Sequence, residues 1–82
     1  MWHLKIKLGT LWIRPESNGR FTLGIDDVAI GSYHKAWAAA DDVYLKATGY
    51  IDWSQLKNEQ LPRDLSEWEF TSKRLNSYEH IF

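Results

Sequence analysis

Residues 2–8 alternate strictly between apolar and polar side chains, and this alternation limits the chain to folds built on a sheet. One face of an extended segment would carry Trp2, Leu4, Ile6 and Leu8, and the other would carry His3, Lys5 and Lys7. Period two over this length is typical of a strand with one buried face. The first element is therefore predicted to be a half-buried strand.

Three further segments continue the extended pattern. They are residues 11–14, which Pro15 ends, 21–25 and 28–33. Asn18-Gly19 and Asp26-Asp27 separate them, and both pairs are typical of tight hairpin turns. The pattern predicts a three- to four-stranded antiparallel sheet.

A helix is predicted from about His34 to Thr48. Small apolar residues recur there at spacings of three and four, namely Ala36, Ala39, Ala40, Val43 and Ala47. Gly49 follows and is the expected left-handed cap. The fold class is α+β, with the helix packed on the Trp2/Leu4/Ile6/Leu8 face and the His3/Lys5/Lys7 face left open.

Short C-terminal helical turns should follow the helix. Asp52–Gln55 and Asp64–Glu67 each have the spacing of a capping box, and they would lay Trp53 and Trp68 over the core. We predict a single domain over residues 1–70 and a C-terminal tail over 71–82. Two alternatives stay open for the tail: flexibility, or docking through Leu75, Tyr78, Ile81 and Phe82.

The amino-acid composition indicates the cellular compartment in which the protein works. The 82 residues contain no cysteine, so neither a disulfide framework nor a thiolate zinc site is available. The N-terminal residues lack the pattern of a signal peptide, and no apolar run reaches the roughly 20 residues of a membrane span. We expect a cytoplasmic protein of bacterial or phage origin.

The sequence offers no catalytic constellation, and we expect no enzyme, cofactor or metal. His3, His34 and His80 fit neither a metal spacing nor a triad order. Asp26-Asp27 and Asp41-Asp42 are adjacent pairs rather than facing carboxylates. No glycine-rich loop precedes a helix, so a phosphate cradle is not predicted.

A nucleic-acid interface is one hypothesis for function. The formal net charge is −1, yet the basic residues concentrate in the N-terminal strands while the middle of the chain is acidic. The candidate face consists of His3, Lys5, Lys7, Trp12, Arg14 and Arg20. Such residues can contact phosphates and stack on bases. A solvated sheet face needs polar residues in any case, so this pattern is also met without nucleic acid.

Protein binding is the leading hypothesis. Five tryptophans exceed what a small core readily buries, and tryptophan is prominent at the centres of protein interfaces. The candidate patch consists of Trp12, Trp37, Asp41, Asp42 and Trp53. A non-catalytic adaptor, or an inhibitor of the kind that phages and mobile elements encode, would suit it. Whether the protein is a monomer or a homo-oligomer is left open.

Two resemblances accompany these patterns. The chain resembles a set of small bacterial proteins through several segments spread along its length: Trp2-His3-Leu4, Ile13-Arg14-Pro15, Ile25-Asp26-Asp27, Gly31-Ser32-Tyr33, Ala39-Ala40-Asp41-Asp42-Val43-Tyr44, Thr48-Gly49 and Asp64-Leu65-Ser66-Glu67-Trp68-Glu69. That set implies a sheet-plus-helix fold and no particular activity. Locally, Ile30–Tyr33 with Ala39-Ala40 and Val43-Tyr44 resembles the strand-to-helix join of AP2-type DNA-binding domains. The second resemblance implies a sheet whose open face meets DNA.

Overall fold

The computed structural model describes residues 1–49, 51, 53–56 and 60–71. Its strands are β1 (Trp2–Ile6), β2 (Gly9–Pro15), β3 (Phe21–Ile25), β4 (Val28–Tyr33) and β5 (Glu69–Phe70), and its helix is α1 (Ala36–Tyr44). Two short 3-10 turns follow the helix, at Trp53–Leu56 and Leu65–Glu67. The α+β class predicted from the sequence is confirmed.

The sheet has five strands in the order β4-β3-β2-β1-β5, and each neighbouring pair is antiparallel. The prediction of three or four strands was wrong. The additional strand, β5, pairs Phe70 with Trp2 and Glu69 with His3. Beyond it, the Met1 ammonium donates to the Thr71 carbonyl at 2.9 Å, and the Thr71 N–H donates back to Met1 O at 2.8 Å. Two residues are too few to show a period, so the sequence pattern could not reveal this strand.

The hairpin turns fall near their predicted positions. Glu16 N donates to Arg20 O at 2.8 Å, and Gly19 has a φ of 84°. Asp26 adopts a φ of 50° in the next turn. The first strand is shorter than predicted, because the chain already turns after Ile6 so that Gly9 can pair with it.

The helix is also shorter than the predicted span of His34 to Thr48, because Lys46 ends it with a φ of 55°. The Lys46 N–H donates to Val43 O at 3.0 Å, and the Ala47 N–H donates to Asp42 O at 2.9 Å. These two bonds form a Schellman motif. Gly49 was expected in the left-handed position, and Lys46 occupies that conformation instead.

The core lies between the sheet and α1, which rests on β2, β3 and β4. Its buried members are Leu11, Ile13, Leu23, Ile25, Ala36, Ala39, Ala40, Val43, Ile51 and Trp68. Trp2 lies opposite Ile13 and Leu4 opposite Leu11, so the apolar side of β1 shares the face on which the helix packs. We call this the inner face, and the other side of the sheet the outer face. The predicted side of the sheet is therefore correct, although the main contacts of the helix are with β2, β3 and β4 and not with β1 itself.

The segment after the helix contains the two predicted turns. Trp68 is buried, and the half-buried Trp53 donates from Nε1 to the Thr48 carbonyl at 2.9 Å. Asp64 makes no side-chain capping bond, so its predicted capping box does not form. Asp52 of the other box lies outside the described residues, as does the predicted tail apart from Thr71.

No helix in the part of the chain that the structure describes is long and apolar enough to cross a membrane.

Candidate functional site

The outer face carries the residues proposed for nucleic-acid contact. His3, Trp12 and Arg14 project from it, because the alternate residues of β1 and β2 enter the core. Lys5 is exposed on the same face, and Lys7 is exposed in the turn that follows β1. The structure therefore brings four of the six candidates to this face, namely His3, Lys5, Trp12 and Arg14. Lys7 lies in the turn after β1, and Arg20 lies at the edge of the face before β3.

Trp12 is fixed on this face by its neighbours. Its Nε1 donates to the Asp26 carbonyl at 2.8 Å. Its indole covers the backbone of Gly24 so closely that a Cβ atom at position 24 would overlap the ring. Gly24 is therefore required by the approach of the ring, and one side of the indole is closed to a ligand.

We expect Gly24→Ala to lower the free energy of unfolding by about 1–3 kcal/mol, because the added methyl group must displace the Trp12 ring. Urea unfolding measures this loss. Gly49→Ala is the matched control and should be close to neutral, since nothing lies within 4 Å of its added Cβ. In a Trp12→Ala background the loss from Gly24→Ala should shrink; an undiminished loss would show that the ring is not its cause.

Arg14 is neutralised within the outer face. Its guanidinium lies over the Trp12 ring, 5.0 Å from the centroid. Its Nε donates to Glu16 Oε2 at 3.0 Å, and Nη2 lies 3.0 Å from the same oxygen. The Thr22 hydroxyl also donates to that oxygen at 2.7 Å. The Arg14 guanidinium was expected to contact a phosphate, and the Trp12 ring was expected to stack on a base. In the structure these two groups contact each other instead.

Arg20 holds the ends of two strands together. Its Nε donates to Ser32 Oγ at 2.8 Å, and Nη2 donates to the Ser32 carbonyl at 3.3 Å. Nη1 lies 3.2 Å from the His34 ring nitrogens. The outer face also carries the carboxylates of Glu16 and Asp26, and the exposed Glu69 pairs with His3 across the strands. These negative charges and the engagement of both arginines leave the outer face only weakly basic.

The opposite side of the molecule presents apolar side chains to solvent along the helix. Trp37 is 63% exposed, Tyr44 is 38% exposed and Leu45, directly after the helix, is 60% exposed. Apart from the adjacent Tyr44 and Leu45, they and Asp41 lie three, four, seven or eight residues apart, and these helical spacings place them on one side of α1. We call these four residues the helix stripe.

An open cleft of about 570 Å³ lies at the C-terminal end of the helix stripe. Among the described residues, its lining includes Tyr44, Leu45, Lys46, Gln60 and Leu61. The Arg63 guanidinium lies 5.5 Å from the centre of the Tyr44 ring and so fixes one wall near the cleft. The cleft is of mixed character, because Lys46 and Gln60 line it together with Tyr44, Leu45 and Leu61.

The predicted protein-binding patch is divided by the structure. Trp37 and Asp41 lie together in the helix stripe, whereas Trp12 lies on the outer face of the sheet and Trp53 packs against the core. Asp42 accepts a hydrogen bond from the Tyr33 hydroxyl at 2.8 Å and serves the join between α1 and β4. Tyr44, Leu45 and Leu61 were not among the candidates. The sequence signal for the first two is the alanine stripe, since residues on the other side of the helix must face solvent.

Burial raises the pKa of Tyr33 to about 12 from its ordinary value of 10.0, and the hydrogen bond and charge of Asp42 act in the same direction. A raised pKa means that folding favours the neutral phenol. The contribution of Tyr33 to stability is therefore complete below pH 10 and is lost as the pH rises towards 12. We expect wild type to lose more stability than Tyr33→Phe between about pH 9 and pH 11, measured by urea unfolding. Equal losses would contradict this role, because the other titrating groups are common to both proteins.

Metal binding would require several His, Asp or Glu side chains close together in the described residues. Among them, no group of three or more His, Asp or Glu side chains is placed to hold a metal ion. His3 lies on the outer face and His34 between β4 and α1, while His80 lies outside the described residues.

No family model, no curated protein and no solved structure matches this chain. The resemblances to small bacterial proteins and to AP2-type domains stay predictions.

Proposed function

We propose that this protein is a small non-catalytic binding module that recognises another protein through its helix stripe. The observation that carries the proposal is the 63% exposure of Trp37, together with the 60% exposure of Leu45 on the same side of α1. Several exposed apolar side chains on one surface, with a tryptophan among them, are typical of a site that a partner covers. Tryptophan and tyrosine also bury large areas with little loss of conformational entropy, which suits them to an interface centre.

The partner's chemistry follows from the stripe. Its contact would place apolar side chains against Trp37 and Leu45, with one of them entering the cleft beside Tyr44. A basic side chain on the partner would suit Asp41, which lies between Trp37 and Tyr44 along the helix. An adaptor and an inhibitor of a larger complex would both use such a surface.

Affinity capture from cells that encode the protein tests the proposal. Wild-type bait should retain one protein, and bait carrying Trp37→Ala with Leu45→Ser should lose it. Bait carrying Lys5→Gln with Lys7→Gln is the matched control, because both lysines are exposed and lie outside the helix stripe, in β1 and in the turn after it; this bait should retain the partner. Loss with the lysine variant and retention with the stripe variant would overturn the assignment.

Nucleic-acid binding is the second candidate, and the shared exposure of Lys5 and Lys7 beside Trp12 and Arg14 favours it. The contact between Arg14 and Glu16 weakens it, because that guanidinium is already paired. If this face binds duplex DNA, affinity should fall steeply with salt, and Lys5→Gln with Lys7→Gln should reduce that slope. Absence of a salt-sensitive shift at low ionic strength would exclude the candidate.

A further inference from the structure

The two edges of the sheet differ in how they are protected. One ends in β5, which has only two residues and carries the Glu69 carboxylate; short, charged strands discourage pairing with other chains. The other ends in β4, which is six residues long and reads Val-Ala-Ile-Gly-Ser-Tyr, without charge or proline. No further strand pairs with β4 in the described part of the chain. Part of its backbone N–H and C=O groups therefore points away from β3.

We propose that two copies of this chain join along their β4 strands in antiparallel order, which continues the sheet across a two-fold axis. The partner we infer is a second copy because the edge is complementary to itself. Exposed Asp26 and Asp27 precede β4, and exposed His34 and Lys35 follow it, with Arg20 against His34. Antiparallel pairing sets the acidic end of each copy against the basic end of the other, as a symmetric interface requires.

The irregularity in β4 supports the same register. Val28 pairs with Ile25, Ala29 with Gly24 and Gly31 with Leu23, which leaves Ile30 as an extra residue. In a regular strand Val28 and Tyr33 would point to opposite faces, since they are five positions apart. The extra residue places both on the inner face, because Val28 pairs with core residue Ile25 and Tyr33 pairs with Phe21.

Pairing about the centre of β4 then matches like faces. Val28 lies opposite Tyr33 of the second copy, and Ala29 lies opposite Ser32 of the second copy. The same register sets Asp27 opposite His34 of the second copy. Val28, which is 40% exposed in the single chain, gains a tyrosine ring beside it. A bulge usually protects an edge strand from pairing. Here it matches the faces of two β4 strands, so that β4 of one copy can pair with β4 of the second copy.

Sedimentation velocity over a range of concentrations tests the assembly. Wild type should sediment as a dimer that dissociates on dilution, and Val28→Lys should remain a monomer at every concentration, because an inward-facing charge on an edge strand opposes pairing. Lys5→Glu on β1 is the control and should dimerise like wild type. If Val28→Lys disturbs folding by circular dichroism, the exposed Ala29→Lys serves in its place. A wild type that stays monomeric, or a Val28→Lys variant that dimerises like wild type, would overturn the proposal.

A pair of cysteines tests the register, since the chain has none of its own. Ala29→Cys with Ser32→Cys should give a covalent dimer on oxidation. The two positions lie three residues apart along one strand, about 10 Å, whereas a disulfide needs Cα atoms within about 7 Å, so they cannot close within one copy. Ala29→Cys alone should crosslink far less, because Ala29 does not face itself in this register. Equal crosslinking by the single and double variants would contradict the proposed pairing.

Discussion

Replacing Trp68 with alanine should remove about 3–5 kcal/mol from the free energy of unfolding, as expected for truncating a buried tryptophan. Trp68 is only 4% exposed and belongs to the core between α1 and the sheet. A domain of this size has roughly 4–12 kcal/mol of stability in total, at about 0.05–0.15 kcal/mol per residue. One truncation therefore removes a large part of it. Urea unfolding followed by circular dichroism measures the change.

Trp68→Phe provides the control for this prediction. The Trp68 Nε1 is buried and has no hydrogen-bond partner among the described residues. Phenylalanine keeps an aromatic ring and removes that N–H, so the loss should be clearly smaller than with alanine. If alanine and phenylalanine cost the same small amount, the segment containing residues 60–68 does not complete the core as described.

Replacing Trp37 with alanine should weaken the proposed partner's binding by about 30-fold or more, which is the typical effect of truncating a hot-spot tryptophan. The stability of the isolated protein should not fall. Trp37 is 63% exposed, and alanine has the higher helix propensity. Isothermal titration calorimetry with the captured partner, paired with thermal unfolding of the free protein, separates the two effects.

The matched control is Lys5→Ala, an exposed residue on the outer face of the sheet. It should leave partner affinity within a few-fold of wild type. If Trp37→Ala binds the partner like wild type, the helix stripe is not the interface centre. If Trp37→Ala instead unfolds the protein, the Trp37 side chain has a structural role that the described contacts do not show.

The periodicity of the sequence predicted those elements whose own residues carry a strand or helix pattern. The alternation of β1 and the alanine spacing of α1 identified both the elements and the faces that meet. Features set by contacts distant in sequence were missed. β5 exists because Glu69-Phe70 meets β1 from the far end of the chain, and its own two residues carry no pattern.

The helix end shows a different limit. Gly49 has the residue type that a left-handed cap prefers, yet Lys46 adopts a φ of 55°. The cap forms where Asp42 and Val43 carbonyls need donors at the end of the packed segment. Packing therefore decided the position, and the lysine accepts a backbone conformation that glycine would adopt more easily.

The candidate sites were predictable in part. Strand alternation correctly gathered Lys5, Trp12 and Arg14 on the outer face, because side-chain direction in a strand follows from residue number. The contacts of Arg14 with Glu16 and of Trp12 with Asp26 depend on strand register and turn geometry, which one sequence does not specify. The protein-binding patch mixed both faces, since residue type alone cannot tell an exposed tryptophan from one laid on a glycine.

The most direct test of the central claim is site-specific photo-crosslinking in the cells that encode the protein. A photoreactive residue would replace Trp37 or Leu45 on the helix stripe, and Lys5 or Lys7, which are exposed outside the stripe. The expected result is one discrete protein adduct from positions 37 and 45, and none from positions 5 and 7. Adducts confined to positions 5 and 7, whether with protein or with nucleic acid, would contradict binding through the helix stripe.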